Sequence, residues 1–292
     1  MTTPPRPCPL CGSLRNIPIA KHAANHLVRC GDCSLVFTQL DPSVEELVAY
    51  YTHYPVRDQL SPVTAKRYDE LLDRFEPYRR TGKLIDVGCG AGMFLERAAL
   101  RGWEVHGTEY GDRAVAACKA RGVGIIEGPL DPANYAPGSF DVVCSFEVME
   151  HLAHPKEEME RMLKILRPGG LLYITTPNYA CIGHRLSGAE WNVVNYPEHL
   201  TYFTPSTLRR MAKSAGLRER WLLTTGMSMV RFRTKRSKDP GVRSNAMADQ
   251  EALRVRLETA WHLKLAKRTI DGLLDLFGIG DSMKAAFEKP AQ

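Results

Sequence analysis

No stretch of the 292 residues is apolar for long enough to cross a bilayer, which argues against a membrane-spanning helix. The opening run Met1-Thr2-Thr3-Pro4-Pro5-Arg6-Pro7-Cys8 lacks the apolar core of a secretion signal, so a cytoplasmic location is expected. A strong charge of one sign is missing too. The balance of 39 Lys and Arg against 33 Asp and Glu leaves +6, which permits an anionic partner without demanding one. Hydrophobic residues at 44% and charged residues at 25% are ordinary for a globular chain, and the length suits one α/β domain with a small appendage. Eight cysteines without a leader point to a reducing compartment, and to metal binding before disulfides.

Four of those cysteines are patterned. Cys8-Pro9-Leu10-Cys11 and Cys30-Gly31-Asp32-Cys33 make two C-x₂-C knuckles separated by 18 residues. Each knuckle turns two thiolates to one side, and four thiolates close a structural zinc site with no open position. Residues 25–29 and 35–37 alternate as short strands of a zinc ribbon. So small a segment has too little core to fold unaided, so the metal is expected to supply most of its stability. Scaffolding is the favoured role, with contact to nucleic acid or substrate second and a redox dithiol last. Cys89, Cys118, Cys144 and Cys181 show no ligand spacing; Cys118 and Cys144 read as small apolar residues.

The centre of the chain is Lys83-Leu84-Ile85-Asp86-Val87-Gly88-Cys89-Gly90-Ala91-Gly92-Met93-Phe94. A short apolar strand runs into three alternate glycines and then into a helix beginning near Phe94. Glycines there permit a sharp turn and a close approach of ligand to backbone, beside the weakly positive end of the helix. Glu109 follows Gly88 by 21 residues, at the end of the next strand, where an α/β nucleotide-binding sheet places an acid for a ribose diol. The loop reads G-x-G-x-G and lacks the G-x-G-x-x-G spacing of dinucleotide binders. With Asp86 in the strand, it resembles the first motif of class I S-adenosylmethionine-dependent methyltransferases.

The resemblance extends over roughly residues 60 to 225. Gly138-Ser139-Phe140-Asp141-Val142-Val143 matches the family's fourth-strand signature, and Arg167-Pro168-Gly169-Gly170 its turn into the fifth strand. The implied fold is a doubly wound, mostly parallel seven-stranded α/β sheet behind the zinc ribbon. The implied cofactor is S-adenosylmethionine: Asp86, Gly88, Gly90 and Gly92 shape the methionine side, Glu109 the ribose, Tyr110 and Leu130 the adenosine side, and Phe146 lies near the donor.

Phe146-Glu147-Val148-Met149-Glu150-His151-Leu152 follows the fourth strand. If it opens a helix, Glu147, Glu150 and His151 share one face at the ligand-binding edge of the sheet. The segment resembles the E-x-x-E-H signature of ubiquinone-pathway O-methyltransferases and of small-RNA 2′-O-methyltransferases, which implies a divalent cation, Mg²⁺ or Mn²⁺. In the RNA enzymes a further His completes the site, and His199 stands at a matching position. Three roles compete here: His151 or His199 as a metal-free general base, then a metal that lowers the pKa of a substrate hydroxyl, then simple capping and pairing.

Upstream, Ser43 and Glu46 form a capping box for a helix reaching Tyr50 and Tyr51, and residues 64–78 carry a second helical period. Their tyrosines either line the cleft or pack under the ribbon. Trp191, in the long segment over the cleft, either stacks on a substrate ring or covers the core edge. A helix over residues 206–216, capped by a serine, and a strand over 217–225 follow. Arg231, Arg233, Lys235, Arg236, Lys238 and Arg243 form a basic run, read first as a solvated loop and second as a phosphate-attracting surface. A long helix is expected from about Ala248 to Phe277, then an antiparallel seventh strand over 281–290.

The division is therefore a zinc ribbon over 1–40, a helical linker or lid over 41–80 and a methyltransferase core over 81–226. A basic and helical insertion over 227–279 and the final strand over 280–292 complete it. The expected activity is O-methylation of a small-molecule or glycan hydroxyl. A sugar C-methyltransferase and an RNA-associated methyltransferase or binding module are the alternatives. Nucleic acid is not the favoured partner.

Overall fold

The run Leu84-Ile85-Asp86-Val87 forms the central strand of a sheet covered on both faces, as near-continuous apolar strands of parallel sheets do. In the computed structural model, which describes residues 6–51, 59–226 and 261–291, this strand β4 (Lys83–Val87) lies between β5 (Glu104–Glu109) and β7 (Phe140–Phe146), parallel to both. Beyond β5 comes β6 (Gly124–Glu127), and beyond β7 comes β8 (Leu166–Pro177). The last strand, β11 (Ser282–Glu288), runs antiparallel between β8 and β10 (Arg218–Thr225). The order is β10-β11-β8-β7-β4-β5-β6, the expected seven-stranded, mostly parallel arrangement.

Side chains alternate between the two faces of this sheet with a period of two. Ile85, Val87, Val143, Leu172 and Ile174 face one cluster, with Met159 and Met162 of α5 (Pro155–Ile165) and Leu208 and Met211 of α7 (Pro205–Ser214). Leu84, Val142, Cys144, Leu171 and Tyr173 face the other, with Leu72 and Phe75 of α2 (Pro62–Phe75) and Phe94 and Leu95 of α3 (Met93–Leu100). Helix α4 (Asp112–Ala120) adds Cys118 to the second cluster.

Helix boundaries follow local chemistry. The box at α1 (Val44–Tyr51) is present, with Glu46 N–H donating to Ser43 Oγ at 3.2 Å and Ser43 N–H to Glu46 Oε2 at 2.8 Å. After the short α6 (Ile182–Ser187), α7 caps on Thr204 and not on the serine expected at 206, because Pro205 takes the first helical position. Of the long helix expected from Ala248, α8 (Trp261–Leu276) is described; residues 248–260 and the basic run of 231–243 lie outside the described residues. Helix α8 is tied to the end of β10, where Asp275 Oδ1 accepts from Thr224 N–H and Asp271 Oδ1 from Gly226 N–H.

Asp141 knots together three segments. Its fully buried carboxylate accepts from Arg80 N–H and Gly82 N–H, both at 2.7 Å, and pairs with Arg167 Nε. Arg167 in turn donates to the Tyr78 carbonyl. The start of β4, the start of β7 and the glycine turn of β8 thus meet on one carboxylate. Burial pushes its pKa up, but the bonds from Arg167, Arg80 and Gly82 outweigh burial and hold it below the usual range.

The cysteine ribbon has its own sheet of β1 (Asn16–Pro18), β2 (Leu27–Cys30) and β3 (Val36–Thr38). A fourth strand, β9 (Thr201–Tyr202), comes from far along the chain and pairs antiparallel with β3. Cys8, Cys30, Cys33 and Leu35 also belong to the same buried cluster as the α5 and α7 face of the large sheet. The ribbon is packed into the core it precedes.

Candidate active site

The glycine loop closes tightly on the end of β4. Gly88 N–H and Cys89 N–H both donate to the Thr108 carbonyl of β5, at 2.9 and 3.0 Å. Gly88, Gly90 and Gly92 all have positive φ, which side-chain-bearing residues rarely adopt. Their surroundings differ. A Cβ on Gly88 would lie 2.6 Å from Val148 Cγ2, and one on Gly92 2.8 Å from Cys118 Sγ, so these two are glycine for packing as well. Gly90 has no described atom within 4 Å of that position and presents the loop's open side. The thiols of Cys89 and Cys118 meet at 3.7 Å beneath it, a proximity that spacing in the sequence did not signal.

Two acids sit beside the loop. Glu109 Oε2 accepts from Gly90 N–H at 2.8 Å, while its Oε1 accepts from Tyr110 N–H and Gly111 N–H at 2.8 and 3.1 Å. It thus anchors the loop, and its oxygens retain acceptor capacity for a diol. Asp86 is buried, and its Oδ1 has no hydrogen-bond partner among the described residues. Burial first, then the charges of Glu109 and Cys118, push its carboxyl well above the usual range. A cationic group reaching it would favour its charged form.

Phe146, at the end of β7, packs its ring 4.8 Å from Phe94, 5.3 Å from Tyr173 and 6.4 Å from Tyr68. The two residues assigned to the adenosine side fare differently. Tyr110 is 69% exposed, whereas Leu130 is 2% exposed within the core and offers almost no surface to a ring. Trp191 is likewise buried, against Tyr179 and the ribbon's Leu27 and Val36, and covers the core edge instead of facing the cleft.

The expected helical face of Glu147, Glu150 and His151 does not form. Glu147 takes a left-handed backbone (φ 53°), its N–H still donating to the Thr175 carbonyl at the sheet edge, and only Met149–His151 turn as a 3₁₀ helix. This reversal tucks Val148 under Gly88 and sends the exposed Glu147 outward, with Oε1 3.4 Å from Ser282 Oγ. The group that does converge is Glu150, His151 and His199, with one ligand-type atom of each within 4.8 Å of the others.

Each of the three is held from behind. Glu150 Oε2 accepts from Thr176 Oγ1 at 2.9 Å. The two imidazole rings meet edge to face at 4.7 Å. His151 Nδ1 lies 2.8 Å from the Glu198 carbonyl, and His199 Nδ1 2.7 Å from the Val193 carbonyl. A carbonyl only accepts, so both Nδ1 atoms carry the hydrogen, which leaves Nε2 of each ring as the nitrogen able to take up a proton. Burial first, and the neighbouring His199 second, lower His151 to about 4, so it is neutral near pH 7. Burial first, and Glu147 second, push Glu150 well up. Glu198 joins from the same loop: its Oε2 accepts from Tyr50 Oη and from Asn195 Nδ2. Tyr50 is a cleft candidate by its place in the sequence; Glu198 and Asn195 carry no signal there beyond standing near His199.

At the other end of the chain, Cys8, Cys11, Cys30 and Cys33 gather their sulfurs within 4.8 Å, with Cys8 to Cys33 at 3.4 Å and Cys11 to Cys30 at 3.5 Å. Tetrahedral zinc with bonds of ~2.3 Å separates its sulfurs by ~3.8 Å, so the donor set and its spacing fit that ion.

A family profile described as a methyltransferase domain matches residues 60–219, more than half of the chain. The chain belongs to the methyltransferase domain family. Among curated relatives of this methyltransferase, the ubiquinone biosynthesis O-methyltransferase of Chromobacterium violaceum is 32% identical over 148 residues, covering 46% of this chain and 64% of the relative. The enzyme of the same name from Thiobacillus denitrificans is 30% identical over 159 residues, covering 50% and 68%. The methyltransferase therefore spans less than two thirds of the first relative's length. A SAM-dependent methyltransferase from Archaeoglobus fulgidus superposes with a TM-score of 0.51 at 16% identity, covering 77% of this chain and 94% of the other, which is a likeness of fold. Among the described residues no helix is long and apolar enough to cross a membrane.

Proposed function

We propose that the chain transfers the methyl group of S-adenosylmethionine to the oxygen of a small-molecule or sugar hydroxyl. The observation that carries this is the convergence of Glu150, His151 and His199 at the carboxyl edge of the sheet, across the strand ends from the glycine loop. The names of the curated relatives support oxygen as the receiving atom.

The cofactor fits the residues present. Asp86, buried with Oδ1 unpartnered, suits a molecule that carries a sulfonium and an ammonium; Gly90 leaves room for it, and Glu109 holds the ribose. Phe146 and its ring cluster wall the donor side. Bound there, the cofactor would supply a methyl carbon on a sulfonium; the acceptor oxygen would bond to that carbon as its bond to sulfur broke, releasing the neutral thioether. The displaced hydroxyl proton passes to Nε2 of His151 or His199, whose tautomer the Glu198 and Val193 carbonyls fix. Alignment of oxygen, carbon and sulfur supplies ~7–11 kcal/mol of such a barrier.

A second reading has one observation behind it: two imidazoles and a carboxylate aim at one point with their outer nitrogens tied to carbonyls, the arrangement that orients metal ligands. Glu150, His151 and His199 would then hold Mg²⁺ or Mn²⁺, which would lower the pKa of the hydroxyl. Glu147, placed outside the group, is not among the ligands. At the N-terminus the four cysteines bind zinc, a use of thiols that suits a reducing compartment, and we assign the chain to the cytoplasm on that ground.

Glu109→Ala should weaken S-adenosylmethionine binding roughly 10- to 100-fold, from loss of charge-assisted bonds worth ~1.5–3 kcal/mol. Titration calorimetry measures it. Unchanged affinity removes Glu109 from the site, and tight binding of NAD in the same cell would replace the cofactor assignment.

A further inference from the structure

The ribbon's sheet is completed by a strand from the catalytic region. Strand β9 begins two residues after His199, and its pairing with β3 sets Val36 opposite Tyr202 and Phe37 opposite Thr201. Thr38 N–H donates to the Leu200 carbonyl at 2.9 Å, extending the ladder to the residue next to His199. Tyr202 Oη donates to the His199 carbonyl at 2.9 Å. On the other side, Leu200 N–H donates to the Glu150 carbonyl and Thr201 Oγ1 to the Leu152 carbonyl, both at 2.8 Å. Further back in the loop, Tyr196 N–H donates to Asn25 Oδ1 of the ribbon at 3.2 Å, and its ring meets His26 edge to face.

A strand of two residues cannot hold its own place, and neither can the three-residue β3 against which it lies. Cys33 stands three residues before β3, and Cys30 ends β2. Closure of the cysteine cluster therefore fixes β2 and β3, β3 fixes β9, and β9 fixes His199. The glycine loop has separate support, since Gly88, Cys89 and Gly90 are bonded to Thr108 and Glu109 of β5.

We propose that the metal-closed ribbon is the positioning element for the acceptor half of the active site, acting on His199 through β9, while the cofactor half stands independently of it. This rests on the reading of His199 given above. A misplacement of ~1 Å at a reacting group can cost ~10²-fold in rate, so a structural metal remote from the chemistry would govern it.

The test uses the full chain with histidine isotopically labelled, the His199 ring signal being assigned by its loss in His199→Asn. Two variants are compared with the parent, Tyr202→Phe and Cys30→Ser/Cys33→Ser, by zinc content, S-adenosylmethionine calorimetry and the His199 ring resonance. Tyr202→Phe should keep its zinc and its cofactor affinity within about twofold while the His199 signal moves. The double cysteine variant should lose zinc, keep cofactor affinity and show a His199 signal collapsed to that of an exposed imidazole. A His199 signal unchanged in both variants overturns the proposal. So does cofactor affinity lost in step with zinc, since the metal would then hold the whole fold. If the cysteine variant does not fold, Tyr202→Phe decides alone. The ring signal reports position without turnover, so an acceptor chemistry that fails leaves this result readable.

Discussion

Replacing His151 and His199 together with asparagine should lower kcat by ~10²–10⁴-fold while leaving S-adenosylmethionine affinity unchanged. Both rings present Nε2 to one point because both Nδ1 atoms are committed to backbone carbonyls, so either can take the proton and the single variants should each keep part of the rate. Asparagine can imitate the donated Nδ1–H bond but carries no basic nitrogen. Glu150→Gln separates the two mechanisms. On the base reading it costs far less than the histidines; on the metal reading it costs as much, and magnesium rescues chelated enzyme. Magnesium rescue is the safer assay, because a strong chelator also attacks the ribbon. The pH profile adds a sign. His151 must be neutral to accept a proton and titrates at about 4 instead of 6.5, so on the base reading activity should persist through pH 6 and fall only near 4. The same shift means that the unfolded chain binds more protons between those values, so stability should decline as pH falls from 6.5 towards 4. A double variant with full turnover would leave alignment alone to drive the reaction.

The second large effect is on stability. Asp141→Ala should cost ~3–5 kcal/mol, the penalty for removing one partner of a buried ion pair. The loss exceeds that of a surface pair because three donors are stranded at once: the Arg167 guanidinium and the amides of Arg80 and Gly82. The carboxylate is held below its usual pKa, so its contribution is present at neutral pH and is lost as pH falls through the folded value. Denaturant titration should show the midpoint falling with the slope unchanged. An effect below about 1 kcal/mol, the size of an exposed pair, would contradict the burial seen here.

Much of the scaffold could be read from residues because its causes are local. Leu84 to Val87 read as a buried strand and the glycines after it as a turn, while Phe140 to Cys144 read as a further strand through its match to the family's signature. The four-cysteine cluster followed from spacing, and the pairing of His151 with His199 from a family signature. What could not be read depends on partners far away in sequence. Strand β9 is two residues long, too short for any period, and exists because β3, some 165 residues earlier, is there to pair with it. Glu147 fits a helix by spacing, but the carbonyl of Thr175 holds its amide at the sheet edge and the chain reverses before a helix can begin. Leu130 had a loop position suited to adenine, yet tertiary packing drew it into the core. Glu198 and Asn195 are unremarkable in sequence and acquire meaning only where Tyr50 reaches them.

Transfer of a methyl group from S-adenosylmethionine onto oxygen at the Glu150, His151 and His199 site is the proposed activity of this chain. It is tested most directly by supplying the purified protein with isotopically labelled methyl donor and a panel of phenolic, aliphatic and sugar hydroxyl acceptors. The products are then examined by mass spectrometry and NMR. A labelled O-methyl resonance is expected on at least one acceptor, absent with the His151 and His199 double variant. Label appearing on carbon or nitrogen, or turnover undiminished in the double variant, would contradict it.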